Sequence, residues 1–324
     1  MNLRSRWGMI LAGGDGARLR SLTRRIAGDE RPKQFCRLLG EKTLLEQTRR
    51  RAMYLLSPER TLTVVVRRHE SFYAPLLGDV PSERVVVQPD NRGTAPAVLY
   101  GLLRLRAVAR EASVAVFPSD HYISDDEAFM AHVESAFELV DARPDRLVLL
   151  GVTPDAAEVG YGWIEPGKRI ADLAWPDAYQ VSRFWEKPTP TLAQTLLTKG
   201  CLWNSFVMVG DVAALLVLIK EAVPDLVDSF GPVLSRLTTP WEDASVRQLY
   251  SRLRPTDFSR QVLAVLPASL SVLALRGVAW SDLGEPCRVM RTLARTGERP
   301  QWATAGCAAS DRHMPTRWVD SRRC

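Results

Sequence analysis

The residues best suited to chemistry begin at Leu11. Met9-Ile10-Leu11-Ala12 reads as the end of a buried strand, and Gly13-Gly14-Asp15-Gly16-Ala17-Arg18 follows without a break. A strand that feeds a glycine-rich turn brings backbone N–H groups close to an anion, because no Cβ stands in the way. Arg18 inside the turn and Lys33 in the pair Pro32-Lys33 add two cations that can converge on the same cradle. Such a set suits a triphosphate whose charge is neutralised while a group is transferred. No Gly-Lys-Ser/Thr closes the turn, which excludes a Walker A loop. Leu19 stands where a dinucleotide fingerprint needs its third glycine.

Further along, Gln88 ends the apolar run Val85-Val86-Val87. A side-chain amide carries a donor and an acceptor, so Gln88 is suited to reading a purine edge. Gly93 lets backbone approach a base. Thr94 has a second use as a cap for the helix beginning at Ala95, and Asn91-Arg92-Gly93 equally makes a turn. Phe117-Pro118-Ser119-Asp120-His121 puts a carboxylate at the end of a buried strand, where by itself it serves as a cap or turn former. Glu186-Lys187-Pro188, taken alone, is an exposed strand end.

In order along the chain, these strings resemble the sugar-phosphate nucleotidyltransferase family. The likeness starts with Gly13-Gly14-x-Gly16-x-Arg18-Leu19, Leu22-Thr23 and Pro32-Lys33, and runs from about Trp7 to Glu285. The string from Gln88 to Ala97 looks like the mannose-1-phosphate guanylyltransferase branch. Gly160 to Pro166 and Phe184 to Pro188 resemble the sugar-phosphate strands, and Trp203-Asn204-Ser205 resembles the string that contacts the sugar. Asp257-Phe258-Ser259 and Trp280-Ser281-Asp282-Leu283-Gly284 complete the series.

The resemblance implies that Leu11, Ala12, Gly13, Gly14, Gly16, Arg18, Lys33, Gln88, Gly93, Thr94 and Asp120 bind the nucleotide. It gives Gly162, Glu186, Lys187 and Asn204 to the sugar phosphate, and Asp120 and Asp282 to Mg²⁺. Two carboxylates plus substrate phosphates are an ordinary ligand set for that ion. Arg18, Lys33, Asp120 and Asp282 become the catalytic set, while His121 reads as a packing or hydrogen-bonding group. The expected reaction joins GTP and mannose 1-phosphate into GDP-mannose and pyrophosphate. A thymidylyl or adenylyl transfer, or a nucleotide-sugar-binding paralogue without turnover, stays open as an alternative. One departure bears on the sugar: Phe206 stands where the family's Trp-Asn-Ser string continues with glycine.

Composition narrows the class further. Among 324 residues, 46% are apolar and 25% charged, the balance of a globular chain that can bury a large core. The net charge of +6 is carried by arginine, 37 against six lysines, which makes lysines at motif positions 33 and 187 less accidental. No dense basic run with interleaved aromatics points to nucleic acid. Five cysteines without CxxC spacing argue against a zinc site or a disulfide framework and suit a reducing cytoplasm. No apolar run long enough for a membrane span is present, and the apolar stretch near the start is too short for a signal peptide. The expected partners are therefore small molecules, with a homo-oligomer left open.

These side chains need a scaffold that gathers strand ends. Strands are expected at Gly8–Ala12, Leu62–Val66, Arg84–Gln88, Val114–Pro118 and Leu147–Val152, with helices at Leu44–Leu56, Ala95–Arg110 and Glu127–Asp141. Later strands are expected at Gly160–Pro166, Tyr179–Lys187, Leu202–Gly210, Val262–Leu266 and Ser271–Leu275, and helices at Pro190–Lys199, Val212–Ala222 and Val246–Arg252. Such alternation predicts an α/β fold: a Rossmann-like, mostly parallel mixed sheet flanked by helices, without a β-helix domain. Residues 1–296 are expected to form the catalytic domain, its nucleotide half about 1–151 and its sugar-phosphate half about 152–296, with a polar tail over 297–324.

Overall fold

The computed structural model describes residues 5–170 and 175–304. Residues 305–324 of the expected tail, with Cys307 and Cys324, lie outside the described residues. In chain order the strands are β1 (Ser5–Leu11), β2 (Thr61–Val66), β3 (Val85–Gln88), β4 (Ala112–Pro118), β5 (Tyr122–Ile123), β6 (Leu147–Val152), β7 (Gly162–Arg169), β8 (Ala178–Glu186), β9 (Leu202–Asp211), β10 (Leu270–Leu275) and β11 (Trp280–Ser281). Among the described residues nine of them form one sheet in the order β3-β2-β1-β4-β9-β6-β10-β8-β7, and β5 and β11 pair separately.

The fold is α/β with a mixed sheet. β3, β2, β1 and β4 are mutually parallel, β9 enters antiparallel between β4 and β6, and β10 is parallel to β6 but antiparallel to β8. β6 and β10 are buried along their whole length, as the continuous runs Leu-Val-Leu-Leu-Gly-Val and Leu-Ser-Val-Leu-Ala-Leu demand when both faces are covered. One face packs against the helices Thr94–Val108 and Val212–Ala222, the other against Leu44–Ala52 and Asp126–Ala142.

The order in which strands are added reverses at β1, with β2 and β3 on one side of it and the later β4 on the other. Ligands of open α/β sheets lie outside the strand carboxyl ends at such a point. Leu11 and Pro118 are paired across β1 and β4, and Gln88 ends β3 one strand beyond β2. Three chemistry-bearing segments thus leave the sheet side by side.

One expected strand is absent. Val262–Leu266 begins inside a π-helical turn over Ser259–Leu263. The Asp257 side chain accepts from Arg260 N–H at 2.9 Å and starts that turn, which buries Val262 and Leu263 against the helix side of the sheet. A short apolar run satisfies a strand or a helical turn equally well, and here the local cap decides. The helix Pro286–Thr296, beginning with a proline in its first turn, was not anticipated.

Candidate active site

The glycine turn is held from beneath. Gln34 donates to the carbonyls of Ala12 (3.1 Å) and Gly14 (2.7 Å), so a buried side chain satisfies the backbone that the turn leaves unpaired. Gly16 has φ +58, and a Cβ there would lie 2.9 Å from Lys33 N, so only glycine lets the turn rest on Pro32-Lys33. Leu11, Gly13 and Gly14 line the cavity above β1, while Ala12 is buried and neither it nor Gly16 belongs to the lining.

Lys33 is buried, and its ammonium joins both acidic segments. Nζ lies 3.2 Å from Asp120 Oδ2 and also donates to the backbone carbonyl of Asp282. The two aspartates stand 162 positions apart in sequence and meet through this one side chain. The Arg18 and Asp282 segments share a small apolar core in which Leu19, beside Arg18, and Leu283, beside Asp282, are both buried with Val289 and Leu293. Arg18 itself is more than half exposed at the cavity rim, paired with Glu285 at 3.3 Å.

His121 takes a supporting place. Trp280 Nε1–H donates to His121 Nδ1 at 3.3 Å, which leaves the ring proton on Nε2, 3.6 Å from Asp120 Oδ1. Burial pulls its pKa down to about 4, against the opposing pull of Asp120, so the ring is neutral near pH 7.

Asp282 is gripped tightly. Oδ1 accepts from Arg288 (2.9 Å), Gly284 N–H (2.8 Å) and Tyr161 Oη (3.3 Å), and Oδ2 from Arg288 at 3.0 Å. Burial alone would raise its pKa, but Lys33 and Arg288 outweigh that and hold it below the usual value. Arg288 is itself buried, paired to Glu158 at 2.9 Å, with its guanidinium 4.2 Å from the centre of the Tyr161 ring. Arg288 and Glu158 lie outside the motif strings, and Tyr161 lies within the string Gly160 to Pro166 without a role assigned to it. The one signal for them is Pro286, which opens a helix two residues after Gly284.

The donor set fits a hard divalent cation. Asp120 and Asp282 both face the cavity as oxygen donors, and Oδ2 of Asp282 retains acceptor capacity that Oδ1 lacks. Among the described residues there is no group of three His, Cys, Asp or Glu side chains that could hold a metal ion without substrate oxygens.

Across the cavity, Gln88 and Gly93 line one side, with Thr94 at the start of its helix. Thr94 is not the cap: Gly93 holds that position, and Thr94 Oγ1 accepts from Phe258 N–H at 2.8 Å. On the other side, Gly162, Glu186, Lys187 and Asn204 converge. A Cβ on Gly162 would sit 2.9 Å from Glu186 Oε2 and 3.2 Å from Asn204 Cβ, so glycine permits these two to close on the strand. Lys187 Nζ pairs with Glu186 at 3.2 Å. Burial raises the Glu186 pKa above the usual carboxylate range despite Lys187. Asn204 Oδ1 accepts from Phe206 N–H at 3.0 Å, which turns its amino group toward the cavity.

Phe206 shares that wall. Between β6 and β9 the register runs from Leu149↔Met208 to Gly151↔Asn204, so three residues of β9 face one of β6. Ser205 Oγ bridges the gap by donating to Leu150 O (2.6 Å) and accepting from Val207 N (3.1 Å). The bulge holds Phe206 at φ 59 and aims it at the cavity, edge-to-face with Phe258.

A nucleotidyl transferase family model matches residues 7–295, nearly the whole described chain. The chain belongs to the nucleotidyl transferase family. Among members of that family, the chain is 28% identical to the mannose-1-phosphate guanylyltransferase of Escherichia coli K12 over 295 residues, covering 90% of this chain and 60% of that one. It is 34% identical to the xanthan biosynthesis protein XanB of Xanthomonas campestris pv. campestris over 288 residues, 85% of this chain and 57% of that one. A Thermus thermophilus crystal structure described as a mannose-1-phosphate geranyltransferase superposes with a TM-score of 0.76 at 30% identity, covering 91% of this chain and 80% of that one. The chain spans between 46% and 60% of the length of the first curated relatives it matches.

Proposed function

We propose that this nucleotidyl transferase family member joins GTP and mannose 1-phosphate to give GDP-mannose and pyrophosphate, with Mg²⁺ held by Asp120 and Asp282. The observation that carries the reading is Lys33: one buried ammonium links both acidic segments beneath a glycine turn whose rim bears Arg18. The relatives named for mannose-1-phosphate guanylyl transfer support the choice of base and sugar.

The chemistry needs no protein nucleophile. An ionised oxygen of the sugar phosphate displaces pyrophosphate in line at the α-phosphorus, so the protein aligns substrates and neutralises charge. Bound Mg²⁺ would supply electrostatic stabilisation of the transferring phosphate. Lys33 and Arg18 neutralise the triphosphate and the departing pyrophosphate. Lys187 holds the attacking phosphate, Glu186 accepts from sugar hydroxyls, and Asn204 donates to a sugar oxygen. Gln88 and Gly93 hold the base. The free thiols Cys36 and Cys201, both buried, suit a reducing cytoplasm, and no helix among the described residues is long and apolar enough to cross a membrane.

A panel of nucleoside triphosphates against sugar 1-phosphates, read by pyrophosphate release, tests the proposal. GTP with mannose 1-phosphate is expected to react fastest, and preference for dTTP or ATP with glucose 1-phosphate would replace it. Phe206 and the Arg18–Glu285 pair favour one second reading, a paralogue that binds nucleotide sugar without making it. Calorimetric binding of GDP-mannose with no pyrophosphate release from any pair would select that reading.

A further inference from the structure

Gln88 lines the nucleotide side of the cavity, but its two amide ends face different surroundings. Oε1 points into the core, where Tyr250 Oη donates to it at 3.2 Å. Nε2 points toward the glycine turn, and a Cβ on Gly13 would lie 3.0 Å from it. The missing side chain at Gly13 leaves that end open to a ligand. Tyr250 ends the helix Glu242–Tyr250 and is almost wholly buried, its ring packed against Tyr100 and Phe230 at 6.4 Å from each. Burial pushes the phenol pKa far up, so the hydroxyl keeps its proton. In the reversed amide Tyr250 Oη would accept from Nε2 and its own buried proton would lose its acceptor, Oε1, a cost that favours the orientation seen.

We infer that Tyr250 is a positioning residue for base selection: it locks the Gln88 amide so that only a donor, Nε2, faces the base. A fixed donor favours a base with a carbonyl oxygen there, as guanine has. It opposes a base with an amino group there, as adenine has, because donor would meet donor. The inference rests on the proposal that this cavity binds a nucleoside triphosphate.

The test compares GTP and ATP by calorimetry and by kcat/KM for wild type, Tyr250→Phe and Gln88→Glu. Tyr250→Phe keeps the ring and removes only the hydroxyl. The GTP-to-ATP ratio should fall roughly tenfold, the worth of one ordinary buried hydrogen bond. The KM for sugar phosphate should stay unchanged, which a general structural defect would not produce. Gln88→Glu still accepts from Tyr250 but presents an acceptor to the base, and should shift preference toward ATP. A Tyr250→Phe ratio equal to wild type, an unshifted Gln88→Glu, or a wild type that binds both nucleotides equally or neither overturns the inference. Preferential GTP binding, weakened in Tyr250→Phe but without pyrophosphate release, would sustain it and overturn the transfer reaction instead.

Discussion

Four non-glycine residues among those described have left-handed backbone, and three of them, Lys187, Phe206 and Leu283, lie in or beside the cavity. Such strain costs on the order of 1–3 kcal/mol each and gathers where a side chain must be aimed. Phe206→Gly should therefore lose far less than the roughly 3–5 kcal/mol of an ordinary buried Phe truncation, because glycine relieves the φ of 59. It should also widen the range of sugar 1-phosphates used, read with a hexose 1-phosphate panel, and an unchanged rank order would show that Phe206 does not set it. Glu186 carries a second cost. With its folded pKa raised, chiefly by burial, the folded state binds more protons than the unfolded one just above the usual carboxylate range. Stability therefore falls as pH rises through that window, and the ionised form remains a cost above it. Glu186→Gln should melt no lower than wild type at pH 7.5 while its sugar-phosphate KM rises, and a clear drop in melting temperature would contradict this. Arg18, Lys33 and Asp282 could be singled out because they sit in strings that resemble the family's motifs, and all three line the cavity. Arg288 could not be, since an arginine on an amphipathic helix looks like any surface arginine until Asp282, Glu158 and Tyr161 surround it.

At the scale of elements, the bulge in β9 does the aiming. Its two surplus residues are held by Ser205, which replaces ladder bonds with its own hydroxyl. Ser205→Ala leaves Leu150 O and Val207 N unpaired in a dry strand and should cost roughly 2–4 kcal/mol. Chemical denaturation would measure it, and a loss below about 0.5 kcal/mol would mean the bulge holds itself. Sugar-phosphate KM should rise as well, because Asn204 and Phe206 flank the hydroxyl. The buried strands were readable from unbroken apolar runs, which need no partner to declare themselves. The bulge was not, because Asn204-Ser205 reads as ordinary strand until the register against β6 is known. Val262–Leu266 failed for the opposite reason: its apolar run was real, but the side chain of Asp257 had already begun a helical turn.

Across the whole molecule, one sheet carries both walls of the cavity, and the sequence of strand and helix periods was enough to predict that layered plan. Sequence could not reveal that chain segments far apart touch at the cavity. Gly93, at φ +89, sits so close to the backbone of Thr256 that a Cβ would collide with it, and Ala95 N–H donates to Thr256 O at 3.1 Å. Two residues on, Phe258 meets Phe206 on the opposite wall of the cavity. A single strip of chain, Thr256 to Phe258, thus touches both the Gly93 end and the Phe206 end of the cavity, the sides proposed for base and sugar. Anything that shifts the strip on one side must be felt on the other, and thermodynamic linkage makes that influence reciprocal. Mannose 1-phosphate should change the affinity for a non-hydrolysable GTP analogue by about fivefold or more, and the analogue should change the affinity for mannose 1-phosphate by the same factor. Calorimetry in both orders of addition would read the two factors, and ligands that ignore each other would show that the strip does not transmit. With such a strip, substrate order becomes a matter of cooperativity rather than access: the first ligand sets the shape of the second one's half.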